Sequence, residues 1–176
     1  MFVEGLENRL MFAAVKFVAP LLGASENPAR DTLARGSIKF TLSRDGTELR
    51  YKLVANRIRN VVGAHVHVGA PTENGPIAVD LMDPAGVRMG RRKFSVRGSV
   101  VASELTGPLA GMTLADLVNQ MTAGGTYVNV HTNDGVDPAD AGPGDFPGGE
   151  IRGQIRRLGR AFNNTNPIPT NPLPGY

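Results

Sequence analysis

Apolar and polar positions alternate with a period of two through most of the chain. Eight stretches carry this alternation or a run of β-branched residues: 15–22, 36–42, 48–55, 61–68, 76–82, 94–102, 127–132 and 150–156. Gly, Pro, Asn and Asp stand between them, and short alternating runs with such punctuation predict β-strands joined by turns. Asp45-Gly46, set between "IKFTL" and "LRYKL", is a hairpin signal. One segment departs from the two-residue period. In "GMTLADLVNQMTAGG", Leu114, Leu117, Val118 and Met121 recur at helical spacing, Thr113 stands at the N-cap with Asp116 at the third helical position, and Gly124-Gly125 ends the run. This predicts one short helix over about 113–123. The whole pattern predicts an all-β fold, an antiparallel β-sandwich or barrel of about eight strands.

Successive side chains of a strand point to opposite faces. In "VVGAHVHVGA", Val62, Ala64, Val66 and Val68 therefore share one face, predicted to be the core face, and Gly63, His65, His67 and Gly69 share the other. In "TYVNVHT", Val128 and Val130 form the apolar set, while Tyr127, Asn129 and His131 point the other way. His65, His67 and His131 are all the histidine in the chain. If the two strands are near neighbours, three imidazoles converge on the non-core face. Three nitrogen donors with an open fourth position suit a Cu or Zn ion. The plainer alternative is three polar side chains on a strand surface with no ligand.

Composition narrows the remaining choices. A chain of 176 residues is the size of one domain and can bury a core without disulfides or a structural metal. The absence of cysteine excludes a disulfide framework, a thiolate metal site and a Cys nucleophile. The formal charge is +3, but the basic clusters "RRK" and "IRRLGR" are short, so no nucleic-acid partner is expected. No run approaches the roughly 18–20 apolar residues of a membrane span. The chain has no G-x-S-x-G, Walker loop, G-x-G-x-x-G after a strand or H-E-x-x-H, so no common enzyme class is indicated.

The stretch "NDGVDPADAGPGDFPGGE" places Asp134, Asp137, Asp140, Asp145 and Glu150 close to His131. The four aspartates are candidate Ca²⁺ ligands, although their spacing is not that of an EF-hand; a solvated acidic loop is the alternative. Glu150 and Arg152 lie two apart on one strand and are expected to form an ion pair. At the ends, residues 1–14 read as a targeting segment or a short helix, and 159–176, with Pro167, Pro169, Pro172 and Pro174, as an extended tail. The domain proper is expected over 15–158.

Three motifs together carry a family resemblance: "LLGASENPA" near the start, "AHVHVGAPTENGPI" in the middle, and "YVNVHT" with "GGEIRGQI" at the end. They resemble the CHRD domain, first described as a repeat in the growth-factor antagonist chordin. The resemblance covers about residues 16 to 157. It implies an immunoglobulin-like β-sandwich, usually found outside the cytoplasm, with no established enzymatic activity. The histidine pattern is also remotely similar to copper/zinc superoxide dismutase, a Greek-key sandwich. Carried over, that similarity makes His65, His67 and His131 copper ligands and Arg152 an anion-guiding arginine. The fourth copper histidine, the zinc-site histidines and the disulfide of that enzyme have no counterparts here, so dismutase activity is not expected.

The expected function is thus a non-enzymatic binding or structural module that is extracellular, at the cell surface or periplasmic. It would engage a protein partner, a copy of itself or a matrix polymer, with its terminal segments available for assembly. The alternative is a Cu- or Zn-binding, redox-active β-sandwich built on the three histidines.

Overall fold

The computed structural model describes residues 14–82 and 92–159. The described strands are β1 (Lys16–Leu22), β2 (Arg35–Leu42), β3 (Leu49–Asn56), β4 (Val61–Val68), β5 (Ile77–Asp80), β6 (Lys93–Val100), β7 (Thr126–Thr132), β8 (Ile151–Gln154) and β9 (Arg156–Arg157). One helix, α1 (Leu114–Thr122), lies between β6 and β7. All pairings are antiparallel, in the order β5-β4-β7-β8-β1-β2-β3-β6, and β9 adds to β1. The fold is all-β, as expected. The strands make one continuous, nearly closed sheet, and nothing in its order singles out the immunoglobulin-like arrangement.

Period-two burial builds the core. Phe17, Ala19 and Leu21 of β1 point inward beside Ile38 and Phe40 of β2, Leu49, Leu53 and Ala55 of β3, and Val128 and Val130 of β7. Each large apolar side chain buried in this way stabilises the fold by about 1.5–3 kcal/mol. Leu114, Leu117 and Met121 of α1 join the same core. Thr113 Oγ1 accepts from the Asp116 amide, and the Asp116 carboxylate accepts from the Thr113 amide, so the capping box read from the sequence is formed. At the β2–β3 hairpin the Asp45 carboxylate accepts from the Ser43 hydroxyl and from the Thr47 amide and hydroxyl. These bonds, that from Ser43 foremost, hold its pKa down at about 2.

Two departures from the expected pattern matter for the site. The register of β4 against β7 shifts between Val61 and Gly63, so Val61 enters the core at 1% exposure and Val62, expected there, is 36% exposed. A bulge sets two residues opposite one and exchanges their faces. The last predicted strand divides at Ile155, whose amide donates to Thr126 rather than continuing along β1. Close to that division β8 runs against β1 so tightly that a Cβ at Gly153 would collide with the Pro20 carbonyl oxygen. Nearly all of the predicted N-terminal segment and Pro-rich tail lie outside the described residues.

Candidate metal centre

The pair β4–β7, flanked by β5 and β8, assembles the histidines. His65 is the register partner of Asn129, His67 of Tyr127, and Gly63 of His131. His131 therefore lies diagonally across from His65, with no side chain directly opposite it. A Cβ at Gly63 would stand 3.1 Å from His65 Cε1 and 3.7 Å from His131 Cδ2. The glycine is thus the gap that lets the two rings lean together, to a centroid separation of 4.7 Å. One ring nitrogen from each of the three histidines lies within 4.8 Å of the others. Bonds of about 2.0–2.1 Å to one ion would place such nitrogens roughly 3.3–4.2 Å apart.

The second ring nitrogens are already committed. His67 Nδ1 is 2.8 Å from the Gly75 carbonyl and His131 Nδ1 is 2.7 Å from the Pro147 carbonyl. A carbonyl only accepts, so both Nδ1 atoms carry the proton and both Nε2 atoms present lone pairs. His67 Nε2, His131 Nε2 and His65 Nδ1 are all buried without a hydrogen-bond partner. Backbone carbonyls that set the tautomer and orientation of an imidazole are the usual outer shell of a metal-ligating histidine. Burial lowers the pKa of all three rings, taking His131 to about 4, opposed by the Pro147 bond and reinforced by the neighbouring histidines. The cluster is consequently uncharged at neutral pH, the form that binds cations.

Tyr127 and Arg152 stack in sequence beside His67, and Asp80 of β5 faces His65 across the sheet. The Tyr127 ring stacks on His67 at 4.8 Å and 9°, and the Arg152 guanidinium lies over the same ring, 3.3 Å from its centroid. Arg152 is 1% exposed and donates to Asn74 Oδ1 and to the Ala70 and Glu73 carbonyls. It holds the 70–74 turn, which carries the chain into Gly75 and its bond to His67. The expected Glu150–Arg152 pair does not form. Fully buried Glu150 instead accepts from the Thr32 and Thr132 hydroxyls and from the Gly144 amide, pinning the 133–149 loop that supplies Pro147.

The aspartates of that loop are used locally. Asp134 accepts from the Val136 amide, Asp145 from the Ala141 amide, Asp140 pairs with Arg30 at 3.2 Å, and Asp137 is exposed. Among the described residues, His65, His67 and His131 are the one group of three or more potential ligands brought together. Sequence reasoning did not find Gly75, Pro147 or the stack of Arg152 on Tyr127. The first two act through backbone carbonyls, which leave no trace in side-chain pattern. Tyr127 was legible only as sharing a face with His131.

This fold and this cluster define an antiparallel β-domain with a three-imidazole cluster on one strand pair, β4–β7. The model of the CHRD domain matches residues 17–155, and the chain belongs to that family. No curated protein matches it. Family membership supports a non-enzymatic module of the protein-interaction kind, a class typically found outside cells. No helix among the described residues is long and apolar enough to cross a membrane, which leaves β-barrel spans unaddressed.

Proposed function

We propose that this CHRD module binds one Cu or Zn ion through His65, His67 and His131 and works outside the cytoplasm. One observation carries the reading: three imidazoles from two paired strands bring one nitrogen each within 4.8 Å, each ring has a buried nitrogen without a hydrogen-bond partner, and backbone carbonyls hold the Nδ1 of two of the rings. A neutral all-imidazole donor set without thiolate or carboxylate suits these two metals better than Ca²⁺ or Mg²⁺. The four loop aspartates are a weaker proposal for Ca²⁺, supported by their proximity in the chain alone. The test is elemental analysis of tag-free protein after loading with Cu²⁺ or Zn²⁺ and dialysis. One equivalent per chain is expected, and His67→Ala or His131→Ala should weaken binding by more than about 100-fold, beyond the loss caused by removing an outer-shell partner. No stoichiometric metal, or full retention by both variants, overturns the reading.

A second reading, assembly by strand addition, is favoured by the eight-residue β6, which ends the strand order with one edge unpaired among the described strands. Light scattering on the full chain and on protein cut after Arg160 tests it. A larger species that the cut abolishes supports a tail added to that edge, and a monomer in both defeats it.

A further inference from the structure

Where the turn between β3 and β4 meets the 143–144 turn, the surface holds a cavity of about 570 Å³ lined by Leu33, Arg57, Arg59, Arg92, Pro143 and Gly144. We propose that it binds a small ligand carrying two or more oxyanion groups. The volume is that of a small-molecule site, on the order of 300–1,000 Å³. Among the described residues, three arginines line it and no acidic residue does. Arg30 and Arg50 have acidic partners in Asp140 and Glu48, but among the described residues none of the three pocket arginines has one. Three neighbouring cations without a counter-ion repel one another, and the planar guanidinium fork matches carboxylate, sulfate or phosphate oxygens in pairs.

The backbone gives the independent observation. Arg57 has φ 56° and Asn60 has φ 50°. Asparagine adopts this left-handed region readily, whereas arginine does so at a cost that glycine would avoid. Fully buried Ile58 anchors the turn between Arg57 and Arg59, keeping both arginines on the surface. Asn60 Nδ2 donates to the Gly144 carbonyl at 3.1 Å. Gly144 itself has φ 94°, and a Cβ there would lie 3.4 Å from Arg59 Cβ. The two turns are thereby locked against each other with Arg57 and Arg59 of the first held at the cavity. Strain retained at a cationic residue where glycine would relax the chain marks a position kept for its side chain.

The experiment is calorimetric titration of the full chain with pyrophosphate and with citrate, acetate serving as the monoanion control. Saturable one-to-one binding of either is expected, the preferred ligand showing whether phosphate or carboxylate is the natural group. Arg59→Ala and Arg57→Gly should each weaken it at least 10-fold. Arg57→Gly should also leave the melting temperature unchanged or raise it, because the left-handed residue is relieved while the guanidinium is lost. Absence of saturable binding for both ligands, equal binding of acetate, or heat that survives both substitutions, as removal of a bound metal would, overturns the proposal. The metal content of both variants should be that of the parent chain, so this result stands or falls apart from the histidine site.

Discussion

The three histidines and the four loop aspartates are two sets of candidate ligands with opposite histories. His65 and His131 come from strands far apart in the chain, yet register places them diagonally across one strand pair with a nitrogen of each ring within 4.8 Å of the other. Asp134, Asp137, Asp140 and Asp145 lie within a dozen residues of one another, yet they are not drawn together. The difference is physical. A hydrogen-bonded strand pair dictates the separation and direction of its side chains. In the loop, Asp134 and Asp145 Oδ2 instead take nearby amides and Asp140 takes Arg30.

The comparison is sharpened most by Glu150, where the loop meets the histidine face. Glu150→Gln puts an amide N–H₂ group among three donors in a fully buried site and should cost roughly 2–3 kcal/mol in urea unfolding. Because Pro147 orients His131, metal affinity should fall up to about 10-fold as well. Lost stability with unchanged affinity would show that the loop supports the fold but not the site.

Acidification has the next largest effect. The histidine pKa values lie below the ordinary 6.5, with His131 at about 4. Their contribution to stability is present above about 6.5 and is lost as the pH falls toward 4, since the unfolded chain takes up protons first. Glu26 opposes this: burial, only partly offset by Arg152 and Arg30, raises its pKa from 4.5 to about 7, so its contribution is present below 4.5 and lost as pH rises through 7. The shifts of His131 and Glu26 are similar in size and opposite in effect, so the fall in stability of metal-free protein from pH 7 to pH 5 is carried by His65 and His67, both held below 6.5 by burial. Chemical denaturation at the two pH values measures it, and Glu26→Gln should steepen the fall. A flat profile in Glu26→Gln, where the opposing carboxyl is gone, would show that the rings are not buried as neutral groups.

The smallest effect is expected in the acidic loop itself. Asp140→Asn removes a half-exposed partner from the Arg30 bridge and should cost less than about 1 kcal/mol, with metal content unchanged. A large loss of stability or of bound metal would erase the distinction between the two ligand sets.

Much of the strand frame was legible because it rests on local pattern. Strand and helix positions, the Thr113–Asp116 capping box and the shared face of His65 and His67 all follow from spacing along the chain. Val62 was misplaced because a bulge is set by pairing with β7, which the period of β4 alone cannot reveal. Glu150 and Arg152 likewise look like a pair in sequence, and each instead bonds elsewhere because distant chain arrives first: Thr32 and Thr132 at one, the 70–74 turn at the other.

By itself, then, the sequence determined an all-β domain of the CHRD family and the division of two strands into an apolar face and a histidine face. Only the tertiary structure decided that those strands are direct neighbours, that Gly63 leaves room for the rings to meet, and that Gly75 and Pro147 turn two free nitrogens inward. Alternation is a property of one strand, whereas convergence depends on register between strands and on carbonyls brought in by loops.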